Sequence, residues 1–260
     1  MLIDLNPFIK PIIMNSIIFS KMINKVVLGD AVKIMKNIPD NSIDLVFADP
    51  PYNIGIKYDN YKDKLPQKDY IKWTDKWFDE VTRVLKQTGS LYVAINDENA
   101  AEFVAMLKNK GLFMRNWIIW YYTFGEHQKN KFTRSHTHIL YFVKDKKNFI
   151  FNSNVIRIMS VRQKIGDKRA NPKGRIPDDV WKISRIAGNF KERIKGFPCQ
   201  MPIKVLERII LASSNEGDIV LDPFAGSGTT LVVAKKYNRN YIGIEISKNY
   251  VKIIKERLKS

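Results

Sequence analysis

The sequence predicts an α/β fold, a doubly wound and mostly parallel sheet with helices on both faces. Three short apolar, β-branched runs, Ser42 to Asp49, Asp218 to Asp222 and Tyr241 to Glu245, each end on an acidic residue. Continuous apolar runs of this length suit strands buried on both faces. Amphipathic segments alternate with them, as in a layered α/β domain. The chain has 260 residues, 45% hydrophobic and 12% aromatic, enough for one large core carrying an inserted segment.

The N-terminal arm covers residues 1–22. Its stretch from Phe8 to Phe19 is apolar, but Lys10 and Pro11 interrupt it and no basic region precedes it, so no membrane span is expected. It reads as an irregular arm packed on the core, or as an extension upstream of a later start at Met14 or Met22. The short run Val26 to Leu28 closes on Gly29-Asp30, a turn signal. After the strand at Ser42 to Asp49, a helix is predicted from about Gln67 to Lys86. Tyr70, Trp73, Trp77, Phe78, Val81 and Leu85 share one of its faces and are expected to pack in the core. Ser90 to Ile95 reads as a fourth strand after the turn signal Thr88-Gly89, and His136 to Lys144 as another strand. Two later helices are predicted, from about Pro202 to Ala212 and from Ser247 to Leu258.

Charge is distributed unevenly. The formal net charge is +18, and the interval from Gly125 to Gly196 holds 18 Lys and Arg against 6 Asp and Glu, so twelve of those charges lie there. A merely solvated face would mix signs; this concentration points to a polyanion, with nucleic acid first. If the partner is DNA, Arg134, Arg162, Lys164, Lys168, Arg169, Lys173 and Arg175 are the candidates for phosphate or base contacts. Cys199 is the only cysteine, which excludes an internal disulfide and fits the reducing cytoplasm. The three histidines, His127, His136 and His138, have no cysteine or carboxylate cluster at metal-ligand spacing, so no metal site is expected.

Two segments carry chemistry. Asp49-Pro50-Pro51-Tyr52 follows directly on a buried run. Consecutive prolines remove two donors and stiffen the turn, leaving the Asp carboxylate and a carbonyl as fixed acceptors at the strand end, where open α/β sheets bind ligands. Such acceptors suit an amino group, and the neighbouring aromatic can stack on a base lifted from a duplex. The second segment is Asp222-Pro223-Phe224-Ala225-Gly226-Ser227-Gly228-Thr229-Thr230, a glycine-rich turn entering a helix, with Glu245 ending the next strand. Leu231 stands where a dinucleotide fingerprint needs a third Gly or Ala, which argues against a dehydrogenase.

Asp49-Pro50-Pro51-Tyr52-Asn53 resembles the catalytic motif of the amino-group DNA methyltransferases, in which an Asp form usually accompanies adenine and a Ser form N4-cytosine. The resemblance implies a Rossmann-like, S-adenosylmethionine-dependent methyltransferase fold and direct methyl transfer without a covalent enzyme intermediate. It assigns Asp49, Pro50, Pro51 and Tyr52 to catalysis: Asp49 and the Pro50 carbonyl accept from the N6 amine, and Tyr52 stacks on a flipped adenine. The glycine-rich segment is similar to the family's S-adenosylmethionine loop, giving Asp222, Phe224, Gly226, Ser227, Gly228, Thr229 and Thr230 to the cofactor and Glu245 to its ribose hydroxyls. Asp30 resembles a strand-end aspartate near the cofactor adenine. Phe197-Pro198-Cys199-Gln200-Met201-Pro202 is similar to a His-Pro-Thr-Gln-Lys-Pro segment at the methionine end. Gln200 matches that pattern; Phe197, Cys199 and Met201 depart from it, so the family lysine has no equivalent.

The motif order resembles the β class of these enzymes. It implies a catalytic half at 23–124, a basic target-recognition region at 125–196 and a cofactor-binding half at 197–260. Both halves feed one sheet, so a cut between them should leave no autonomous fold. The expected function is methylation of adenine N6 in double-stranded DNA, with a homodimer and a cognate restriction endonuclease as partners that the family allows. N4-cytosine or RNA methylation on the same fold, and an inactive DNA-binding module, stand as alternatives.

Overall fold

The computed structural model describes residues 10–59, 61, 63–126, 129–195 and 197–259. Among these residues one sheet contains β1 (Lys25–Leu28), β2 (Ile43–Ala48), β3 (Leu85–Ile95), β4 (Phe113–Glu126), β5 (Arg134–Val143), β6 (Val180–Lys182), β7 (Ile219–Asp222) and β8 (Asn240–Glu245). Their spatial order is β1-β8-β7-β2-β3-β5-β4-β6. All neighbours are parallel except that β5 runs antiparallel to both β3 and β4.

The helices are α1 (Lys10–Met22), α2 (Ala31–Met35), α3 (Gln67–Val84), α4 (Asp97–Asn109), α5 (Val161–Lys164), α6 (Ile203–Ser213), α7 (Thr229–Lys236) and α8 (Lys248–Arg257). Side chains alternate across β2 from Leu45 to Ala48 as the strand period requires, with an irregularity between Ile43 and Leu45. Leu45 and Phe47 join a core with Leu206 and Ile209 of α6, Leu231 of α7 and Ile254 of α8. Ile43, Val46 and Ala48 join the opposite core with Met35 of α2, Trp77 and Phe78 of α3 and Phe103 of α4. Every residue of β2 is buried, which is why the run is apolar on both faces. Its one acid, Asp44, accepts from Lys86 Nζ at 2.7 Å and from the Ile219 N–H at 2.9 Å, stitching β2 to both flanking strands.

Several expectations change on contact with the structure. The arm is not irregular: residues 10–22 form α1, because Pro11 stands in the first turn, where its missing N–H costs nothing. Residues 1–9 of the arm and His127 lie outside the described residues. At Thr88-Gly89 the chain bends inside β3, which starts at Leu85, the cap of α3: its register against β2 jumps from Ile43↔Leu85 to Leu45↔Ser90. Gly89 is needed there for space, since a Cβ would lie 2.8 Å from the Leu85 side chain. Both α4 and β4 were unread in the sequence.

Candidate active site

The carboxyl ends of β2, β7 and β8, adjacent in the sheet, converge on one cavity of about 530 Å³. Asp49 leaves β2 at its mouth, half-buried, and accepts a hydrogen bond from Tyr52 Oη at 2.7 Å. Burial pushes Asp49 up to about 6, with the Tyr52 hydroxyl pulling it the other way. The corner is braced from behind. Tyr70 of α3 donates to the Pro51 carbonyl at 2.8 Å. The buried Asp63 carboxylate accepts the backbone N–H groups of Asn53 (2.7 Å), Ile54 (3.2 Å) and Ile56 (3.0 Å). Asn53, with φ of 62°, exchanges side-chain hydrogen bonds with the Leu65 backbone. Two turns of chain are thus fixed around the tetrapeptide.

Across the cavity, Phe224, Gly226, Ser227, Thr229 and Thr230 of the glycine-rich segment form the wall, together with Asp222 and Glu245. The Glu245 carboxylate ties loop to strand by accepting from Gly226 N–H and Ser247 N–H, both at 2.8 Å. Gly228, at φ of 75°, caps α7, and a Cβ there would lie 2.8 Å from Ile254, so close packing and backbone conformation both require glycine. Asp222 accepts from Phe224 N–H at 3.0 Å; burial pushes it up to about 7 against the pull of the Thr230 hydroxyl. Asp30 lines the cavity while capping α2 through Lys33 N–H at 3.0 Å. Gln200 also lines it, but its amide is engaged by backbone, accepting from Ile194 N–H and donating to the Glu192 carbonyl.

Among the described residues none of Asp49, Asp222 and Glu245 is in an ion pair. Burial raises all three from their ordinary values. A carboxyl whose folded-state pKa is raised costs stability once ionised. The cost is fully present above about 7 for Asp222 and disappears as pH falls below the unfolded value. A bound cation offsets it. A cavity of this size, with clustered acids, apolar walls and a glycine-lined rim, therefore fits a cationic nucleoside such as a sulfonium.

A family model described as DNA methylase, covering N6 and N4 enzymes, matches residues 43–256. The chain belongs to this family. This DNA methylase is 41% identical to the type II methyltransferase M.HpaI of Haemophilus parainfluenzae, over 92% of this chain and 75% of that protein. It is 38% identical to the DNA adenine methyltransferase YhdJ of Escherichia coli (strain K12), over 92% of this chain and 84% of that one. Two solved structures share its fold. The M1.HpyAVI–SAM complex matches with a TM-score of 0.66 and 24% identity, covering 91% of this chain and 99% of that one. The PvuII cytosine-N4-specific DNA methyltransferase matches with 0.69 and 22%, covering 89% and 85%. The chain is an S-adenosylmethionine-dependent DNA methyltransferase.

The structure separates the expected DNA contacts from the cavity: none of the seven lines it. Arg134 pairs with Asp97 at 2.7 Å, Arg162 and Arg169 both pair with Asp167, and Arg175 pairs with Asp178. Lys164, Lys168 and Lys173 are exposed. Trp73, expected in the core, is half-buried and lines the cavity, 5.6 Å from the Phe224 ring. Cys199 also lines it, its thiol pushed up to about 11 by burial and by Asp49, so it stays protonated and is a poor nucleophile. Tyr58, Asp59, Asp63 and Arg185 take part in the cavity or its frame. They carried no signal in the sequence, since each sits in a polar loop without periodicity.

Proposed function

We propose that this methyltransferase acts on N6 of an adenine extruded from double-stranded DNA, with Asp49, Pro50, Pro51 and Tyr52 as its catalytic corner. The supporting observation is that Asp49 and the Gly226-to-Glu245 wall open into one cavity, so an acceptor amine and a methyl donor can meet there. Adenine is favoured by Asp in the tetrapeptide and by the likeness to a DNA adenine methyltransferase. The resemblance to type II methyltransferases supports a cognate restriction endonuclease as partner.

Asp222 and Glu245, with the backbone from Phe224 to Thr230, are the residues that would hold S-adenosylmethionine, with Asp30 and Gln200 completing the walls. The cofactor supplies an electrophilic methyl group on a positively charged sulfur. Asp49 and the Pro50 carbonyl would accept the two N–H bonds of the amine and so orient its lone pair. With the cofactor bound, ionised Asp49 would take the proton that the amine gives up on accepting the methyl group. Tyr52 serves as the stacking surface, and its hydroxyl yields the Asp49 oxygen it now occupies.

The test is transfer of labelled methyl from S-adenosylmethionine to unmethylated genomic DNA, followed by nucleoside analysis. Label is expected in N6-methyladenine. Label in N4-methylcytosine would overturn the base assignment, and absence of label in DNA would overturn the reading itself.

A pH dependence follows, because only the carboxylate form of Asp49 accepts the amine. With Asp49 raised to about 6, single-turnover methylation should fall as pH drops through that value, by about tenfold per unit below it, and level off above. A rate unchanged between about pH 5 and pH 7.5 would remove Asp49 as proton acceptor.

A further inference from the structure

We infer that Arg185 is the anion anchor on the acceptor side of the site and holds a phosphodiester next to the extruded nucleotide; this rests on the methyltransferase reading above. Arg185 lines the cavity, whereas the four arginines singled out in the basic interval do not. Those four are each paired with a carboxylate of their own chain, Arg162 and Arg169 sharing Asp167. Arg185 has no ion pair among the described residues and is held by aromatic rings, its guanidinium 4.7 Å from the Phe124 centroid and 5.4 Å from that of Tyr122. A ring face orients a guanidinium without cancelling its charge, so the planar fork stays available for a phosphate.

The backbone fixes where it points. β6 pairs with β4 through Trp120↔Trp181 and Tyr121↔Lys182. Just beyond, Ile183 N–H donates to the Tyr121 carbonyl at 3.1 Å, and its own carbonyl accepts from Trp120 Nε1 at 2.8 Å. Arg185 is therefore two residues past a pinned strand end. Arg193 also lines the cavity, but it is exposed and donates to the Gly188 carbonyl at 2.9 Å.

Two anions could reach this guanidinium, a DNA phosphate and the carboxylate of the cofactor; sheet order sets Arg185 apart from the acids that end β7 and β8, and the experiment below separates the two anions. Asp222 and Glu245 end β7 and β8, on one side of β2; Tyr122 and Phe124 lie on β4, on the other side of it beyond β3 and β5. The rings that hold Arg185 therefore lie on the far side of β2 from Asp222 and Glu245, the side we assign to the incoming nucleotide.

The experiment uses the full chain with Arg185→Ala and with Arg185→Gln, whose stem still packs on both rings. Binding to unmethylated plasmid DNA is measured across salt concentration, KM and kcat are measured on the same DNA, and S-adenosylmethionine binding is measured by calorimetry. Both variants should lose about one from the slope of log affinity against log salt and bind DNA about tenfold more weakly. KM for DNA should rise by a similar factor, with cofactor affinity within about twofold of wild type. An unchanged slope with cofactor affinity lowered about tenfold would assign Arg185 to the cofactor carboxylate and overturn the proposal, as would DNA affinity, slope and KM all unchanged. Wild-type protein that binds DNA but transfers no methyl to it would overturn the functional reading instead, and the salt slopes would still decide the role of Arg185.

Discussion

Asp49→Ala is expected to reduce kcat on DNA by about 10³-fold while leaving S-adenosylmethionine affinity within about twofold. The size follows from what is removed: one of the two acceptors that orient the amine, and the group that takes its proton, a contribution of about 10²–10⁴ for general bases. The cofactor is spared because Asp49 leaves β2, whereas the acids assigned to the cofactor end β7 and β8. Stability should not suffer. Asp49 is raised to about 6 by burial, so its ionised form is a cost to the fold at neutral pH, and alanine relieves that cost. Single-turnover rates, calorimetry and a thermal melt measure the three quantities. A variant keeping more than about a tenth of wild-type kcat would displace Asp49 from the centre of the mechanism.

Glu245→Ala should act on the opposite quantity, weakening S-adenosylmethionine by about 100-fold, with thermal stability also lowered. The carboxylate accepts two backbone N–H groups, from Gly226 and Ser247, and thereby sets the distance between the glycine-rich turn and the strand end. A buried donor deprived of its acceptor costs about 1–3 kcal/mol, and here two lose it together. Glu245→Gln retains one oxygen as acceptor and should fall between the two. Calorimetry decides the matter, and an alanine variant binding the cofactor as wild type does would show that the turn holds its shape without this carboxylate.

What could be read in advance was whatever local spacing encodes. The strand at β2 and the tetrapeptide after it are contiguous, as are the turn from Asp222 to Thr230 and the helix it opens, and each announces itself through apolar runs, prolines and glycines. Residues that act at a distance were silent. Asp63 holds the loop after Tyr52 through three backbone N–H groups, but in sequence it is one acid in a polar stretch. Trp73 sits in the same helical stripe as Trp77, and periodicity cannot tell that Trp77 is fully buried while Trp73 borders the cavity. Arg185 could not be told from the other cations of the basic interval, because ring stacking or pairing with a carboxylate is decided by which strand the chain folds against.

The placing of β1 beside β8 governs when the protein can work during its own synthesis. Asn24 and Tyr241 exchange hydrogen bonds across 217 residues of chain, and among the described residues β1 has no neighbour in the sheet other than β8. At roughly 5–20 residues per second, a ribosome needs about ten to forty seconds to deliver the partner that β1 awaits. Until then Glu245 does not exist to meet Asp30, and the cofactor site lacks one of its walls. Nascent chains should therefore be inert toward DNA until β8 has been translated.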